Sequence, residues 1–116
     1  MKNYTDLNNL TLVAKNAALL AGNCLIEKFS HNIGIISDSG KDIKTEADKS
    51  SELIIIENLQ STGFKILSEE CGVKFGSNQI CDEESFVDEL IWVIDPLDGT
   101  YNYSRSFPIC CVSIGL

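Results

Sequence analysis

Apolar positions along the chain fall into two helical stripes and four short apolar runs. Residues 6 to 29 carry Leu7, Leu10, Ala14, Ala17, Ala21 and Cys24 at spacings of three and four, the period of one helix face. Thr5 or Asp6 stands where an N-cap belongs. The small residues Ala14, Ala17, Ala18, Ala21 and Gly22 predict close approach of a second element. Gly34 and "DSGKD" (38–42) punctuate the chain, leaving "IGIIS" (33–37) as a short strand. A second helix is predicted from Thr45, because Thr45 and Asp48 have the spacing of a capping box. Ala47, Ile54, Ile55 and Leu59 form its apolar side, and "STG" (61–63) ends it. "FKILSEE" then reads as a strand over 64–68 that delivers Glu69 and Glu70 at its carboxyl end. Residues 71–90 read as a loop or insertion whose acids form a solvated face. "IWVID" (91–95) is a strand, "PLDGT" (96–100) a turn and "ICCVSIGL" (109–116) a further apolar strand.

At 116 residues the chain suffices for one modest core and is too short for two ordinary domains. No internal repeat or Pro/Gly-rich linker divides it. The net charge of −8 argues against binding a nucleic-acid backbone, which relies on clustered Lys and Arg. No segment is read as the ~20 apolar residues of a membrane span, and "MKNYTDLNNL" shows no signal-peptide pattern. Five cysteines, an odd number without a C-x-x-C pair, predict reduced and mostly buried thiols in a cytoplasmic protein. The single histidine, His31, reads as a solvated loop residue, which argues against a zinc site.

Candidate chemistry collects at two strand ends. Ligands gather beyond the carboxyl ends of strands in open sheets. If strands 64–68 and 91–94 are neighbours, Glu69, Asp95 and Asp98 converge. Three carboxylates so close repel one another unless cations neutralise them, and oxygen donors suit hard divalent cations, Mg²⁺ first. Pro96 lacks an N–H and fixes its φ, so the Leu97 carbonyl can face inward as a neutral ligand. The N–H groups of Gly99 and Thr100 can receive an anion. Plainer readings stand beside these: Pro96 to Gly99 suits a type I turn, Asp48 can serve only as a cap, and Glu69 can be a solvated strand end. An EF-hand beginning at Asp95 fails, since Leu97, Gly99 and Ser106 occupy its third, fifth and twelfth positions. No G-K-[ST] P-loop occurs. The aspartyl-phosphatase pattern D-x-D-G-T fails because Leu97 stands in place of its second Asp.

Three segments in order, "DIKTEAD" (42–48), "ILSEECG" (66–72) and "WVIDPLDGTYNYSRSFPICCVSIGL" (92–116), resemble the N-terminal part of the inositol monophosphatase family. The third is long and specific; Tyr103 departs from the usual Phe. The resemblance implies an α+β fold, a layered α-β sandwich of the sugar-phosphatase type, of which this chain covers two helices and a mainly antiparallel sheet. It implies Mg²⁺-dependent hydrolysis of a small phosphomonoester by a metal-activated water. Glu69, Asp95 and the Leu97 carbonyl would bind a first Mg²⁺, and Asp95 with Asp98 a second. Thr100 and Asp48 would orient the attacking water, so that Asp48, Thr100 and Glu69 are the catalytic set. Gly99 and Thr100 amides, with Asp98, would meet the substrate. Glu70 receives no role.

The family's second half supplies a further Asp ligand in a W-D-x-A-type segment, and Trp92 is the only tryptophan here. Residues 1–116 are therefore expected to be the metal-binding N-terminal portion of a phosphatase domain. Alone they are expected to bind Mg²⁺ weakly, to self-associate and to be inactive; the full-length protein is expected to be a homodimer. Inositol phosphates, fructose bisphosphate and 3′-phosphoadenosine phosphate stay open as substrates. The rival reading is an inactive, truncated metal-binding fragment.

Overall fold

Helix α1 spans Leu7–Lys28 and begins where the Asp6 side chain accepts the Asn9 N–H at 3.1 Å, as N-caps do. The computed structural model describes residues 6–29, 35–39, 42–69, 72–75, 79–80 and 90–116; of 35–39, 42–44, 72–75 and 79–80 it describes the backbone. Leu10, Ala17, Ala21 and Leu25 are the buried stripe of α1, while Leu7 is 58% exposed. The expected stripe thus holds at its small residues, and Leu25 takes the place assigned to Cys24, which is half-buried. By length and composition α1 is also apolar enough to cross a membrane, which corrects the expectation that no segment is. Here its stripe is spent on the core, against Ile55, Ile56 and Leu59.

Strands β1 (Ile35–Ser39) and β2 (Asp42–Thr45) form an antiparallel pair, two residues later than "IGIIS" predicted for the first. Helix α2 (Glu46–Leu59) follows directly, with the full capping box between Thr45 and Asp48. A 3-10 turn over Gln60–Thr62 ends it, with Gly63 at φ 75 in the left-handed conformation that glycine adopts at least cost.

The main sheet has five strands in the order β5-β4-β3-β6-β7: β3 Lys65–Ser68, β4 Gly72–Phe75, β5 Gln79–Ile80, β6 Ile91–Asp98 and β7 Cys111–Gly115. Its inner pair, β3 and β6, is parallel; every other neighbouring pair is antiparallel. β4 and β5 lie within the segment expected to be loop. Both are short, and a run of four residues carries too little alternation to stand out from a loop. The acids at 82–84, 88 and 89 lie outside the described residues.

One face of the sheet meets both helices. Ile66, Trp92 and Ile94 join Phe64, Leu10, Ala17, Ala21, Ile55, Ile56 and Leu59 in one apolar core. Even there the indole N–H of Trp92 donates to the Thr62 hydroxyl at 2.9 Å, which satisfies its polar edge. A second cluster of Leu25, Ala47, Leu97 and Tyr103 closes the end of the sheet where β3 and β6 finish. Strand β7 is the other edge, and the apolar Ile109 and Leu116 beside it are exposed.

Candidate active site

β6 does not turn at Pro96. It stays extended through Asp98, so the predicted turn over 96–100 is a strand followed by a sharp corner. The ladder to β7 slips on the way: Asp95 faces Ser113 and Asp98 faces Cys111, an advance of three residues against two. Such a bulge re-aims side chains. Pro96 and Leu97 are consecutively buried, and Asp98 is turned to the exposed side. The chain then bends at Gly99, φ 90 and ψ 34, into helix α3 (Thr100–Ser104). A Cβ at Gly99 would lie 2.8 Å from the Ile109 carbonyl oxygen. Glycine is required there by the approach of the protein's own backbone, a reason different from the ligand contact expected of it.

Behind this corner lies the amino end of α2. The Asp48 carboxylate is fully buried. Its Oδ2 accepts the Thr45 N–H at 2.9 Å and the Thr45 hydroxyl at 2.6 Å. Its Oδ1 faces the Thr100 hydroxyl at 2.9 Å. That hydroxyl is also 2.9 Å from the Leu97 carbonyl, and with one proton it donates to one of the two at a time. Asp48 therefore caps α2 and grips Thr100, fifty-two residues away, with opposite oxygens. The capping role is thus observed, and the same side chain also reaches Thr100.

Glu69 and Asp95 meet at the other side of the strand ends. The register pairs Ser68 with Ile94, and the Glu69 N–H donates to the Ile94 carbonyl at 3.3 Å, so Glu69 and Asp95 leave the parallel pair at the same level. Both line a cleft of about 380 Å³ together with Leu67, Ser68, Val93, Ile94 and Ser113. Asp95 Oδ1 accepts the Leu97 N–H at 3.3 Å, which curls its carboxylate over the strand. Asp98 is not among the residues lining this cleft; its Oδ2 lies 3.8 Å from the Cys111 sulfur. Burial, and then the Asp98 charge, push the Cys111 thiol pKa up. Glu69 and Asp95 thus share the cleft, and Asp98 follows Asp95 on the same strand beyond the bulge. Among the described residues no group of three His, Cys, Asp or Glu side chains is gathered as a ready metal cage. The donors of the cleft are carboxylate and hydroxyl oxygens, a set that suits a hard cation held by one or two carboxylates and water. Glu70 lies outside the described residues, as do Cys71, Cys81 and His31. Cys24 and Cys110 are half-buried and Cys111 exposed, so the thiols are more accessible than expected.

Three buried polar residues escaped the sequence reading. The Ser51 hydroxyl donates to the Pro96 carbonyl at 2.7 Å. The Ser68 hydroxyl donates to Glu52 Oε2 at 2.6 Å, and Glu52 is only 3% exposed. Their signal was present as polar residues at 48, 51 and 52 on the stripe that continues through Ile55 and Leu59. Tyr103, in the second cluster, donates its hydroxyl to the Leu25 carbonyl at 2.7 Å and meets Phe29 edge-on. Burial, followed by the nearby thiols Cys110 and Cys24 and by Asp48, pushes its pKa up to about 12.

The sequence profile described as the inositol monophosphatase family matches residues 6–116. The chain belongs to the inositol monophosphatase family. It is 36% identical over 112 residues to an inositol monophosphatase of Mesembryanthemum crystallinum, a match covering 95% of this chain and 39% of that protein. It is 39% identical over 115 residues to a fructose-1,6-bisphosphatase/inositol-1-monophosphatase of Aquifex aeolicus, covering 96% of this chain and 40% of the relative. The crystal structure of the extragenic suppressor protein suhB from Bartonella henselae superposes with a TM-score of 0.75 at 29% identity, over 91% of this chain and 39% of that one. The chain thus spans about two-fifths of the length of these inositol monophosphatase family members. A layered α+β fold and a phosphatase lineage are common ground between sequence and comparison.

Proposed function

We propose that residues 1–116 form the metal-binding portion of a Mg²⁺-dependent phosphomonoesterase, with the cleft at the ends of β3 and β6 as its reaction site. The observation that carries this reading is the link from Asp48 through the Thr100 hydroxyl to the strand end that bears Asp95. A buried carboxylate aimed at a hydroxyl is the pairing from which protons are moved. Glu69, Asp95 and the Leu97 carbonyl would hold a first ion, and Asp98 would share a second with Asp95. The ions would neutralise the acids and the phosphate, and make water a better nucleophile.

The chain's own residues supply the rest. The Thr100 hydroxyl donates to Asp48 and accepts from the attacking water, which orients that water's lone pair toward phosphorus. As the new P–O bond forms, the bond from phosphorus to the ester oxygen breaks. The attacking water's proton passes to Thr100 Oγ1, the Thr100 proton passes to Asp48, and the departing alcohol oxygen takes a proton from solvent water. The amides of Gly99 and Thr100, two half-buried residues at the start of α3, would meet the phosphate oxygens. Inositol monophosphate and fructose bisphosphate, named for its relatives, are the substrates of first choice. A cytoplasmic setting suits the accessible thiols.

The test is phosphate release from inositol 1-phosphate and fructose 1,6-bisphosphate by residues 1–116 joined to the C-terminal remainder of a family member. Turnover is expected with Mg²⁺ and should vanish in chelator, while residues 1–116 alone should release no phosphate. Turnover that persists in chelator would defeat the reading.

A further inference from the structure

Helix α2 contributes more to the candidate site than the one side chain of Asp48. Thr45, Asp48, Ser51 and Glu52 are all buried, between 0 and 3% exposed, in its first two turns. Burying polar groups this deeply is costly unless each is hydrogen-bonded. Their partners are not scattered. Asp48 reaches Thr100, Ser51 reaches the Pro96 carbonyl between Asp95 and Leu97, and Glu52 reaches Ser68, the residue before Glu69. One rigid helix therefore holds each of the three backbone segments that carry the candidate ligands.

We infer that Ser51 and Glu52 are positioning residues: Glu52 acts through Ser68 to place Glu69, and Ser51 acts through the Pro96 carbonyl to place Asp95 and the Leu97 carbonyl. This rests on the metal-site reading above. The Ser68 hydroxyl donates a short hydrogen bond of 2.6 Å to Glu52 Oε2, at the near end of the usual O–H···O range. Ser68 is 1% exposed and sits at the last position of β3, so its anchor fixes the point from which Glu69 leaves the sheet. Glu69 itself is exposed, and the strand end supplies the order that solvent does not. At Pro96 the need is different. Proline gives β6 no N–H to pair, and the ladder to β7 slips between Asp95 and Asp98. The Ser51 hydroxyl supplies a hydrogen bond to this irregular stretch from the helix side. Ligand-holding groups that are themselves held typically govern metal affinity by about 10- to 100-fold.

The experiment is a Mn²⁺ titration of the 116-residue chain, read by the electron paramagnetic resonance of free Mn²⁺, with far-UV circular dichroism as the check on folding. Glu69→Gln and Asp95→Asn come first and should abolish binding. If they leave it unchanged, the metal-site reading fails and this inference falls with it. If they abolish it, Ser51→Ala and Glu52→Ala should each weaken Mn²⁺ by about 10-fold or more with helix content retained. Ser68→Ala removes the Glu52 hydrogen bond from the strand side with the loss of one hydroxyl, and serves in place of Glu52→Ala if that variant unfolds. Glu52→Gln keeps an oxygen that accepts from Ser68, and should stay within about threefold of the parent, below the range typical of a lost supporting bond. Ser51→Ala and Ser68→Ala binding Mn²⁺ as the parent does would overturn the inference. A Glu52→Gln loss equal to that of Glu52→Ala would also overturn it, since Glu52 would then act by its charge.

Discussion

The first half of α2 buries Thr45, Asp48, Ser51 and Glu52, and the second half buries Ile55, Ile56 and Leu59. Both halves are removed from water to the same degree, against the same two strands. The second half meets Ile66, Trp92 and Ile94, where each apolar side chain gains about 1.5–3 kcal/mol by leaving water. The first half meets the ends of those strands and the corner at Gly99, where hydrogen bonds merely offset desolvation. An apolar face would hold the helix there at lower cost. That the polar face is kept, with every group partnered, is what a positioned site requires and a core does not.

The sharpest way to break this contrast is to cut each half in turn. Leu59→Ala should cost about 2–5 kcal/mol in urea unfolding, because it leaves a cavity in the core. The same variant should leave Mn²⁺ affinity unchanged at temperatures where it is folded. A parallel fall in affinity would show that core and site are one unit. Asp48→Asn should reduce kcat of the extended enzyme by about 100-fold, equal to about 2.7 kcal/mol of barrier, by removing the base behind Thr100. Its unfolding midpoint should move less than that of Leu59→Ala. A near-normal kcat would leave Asp48 as a cap alone.

Two smaller changes test the corner where the two regions meet. Gly99→Ala should cost about 1–3 kcal/mol of stability, since positive φ and contact with the Ile109 carbonyl both oppose a Cβ. A neutral result would mean that the corner can relax. Tyr103→Phe should cost about 1 kcal/mol by leaving the Leu25 carbonyl without its donor. Tyr103 also carries a pH signature. Its folded pKa of about 12 lies above the ordinary 10.0, so the fold favours the neutral phenol. That stabilisation is full below pH 10 and is lost as pH rises toward 12. Parent and Tyr103→Phe unfolding curves should therefore converge between those values, and parallel curves would refute the assignment.

Local order was readable in the chain before any fold was known. Helix periods, the Thr45–Asp48 capping box, Gly63 as a stop and the apolar runs of β3 and β6 depend on neighbours three or four residues apart, so they are written locally. The acids Glu69, Asp95 and Asp98 were visible for the same reason, as polar residues following apolar runs, and Asp48 was visible through its capping-box spacing from Thr45. Their mutual placement was not. Whether Asp98 joins Glu69 and Asp95 depends on a ladder slip against β7, and whether Asp48 reaches Thr100 depends on α2 crossing the end of β6. Ser51 and Glu52 received no reading from the sequence, and only the tertiary structure places them buried beneath two strand ends. A hydrogen bond between residues far apart in sequence exists only when packing brings donor and acceptor within about 3 Å. The residue types alone determined which groups could do chemistry; which of them face one another was decided by the sheet's register and the helix laid across it.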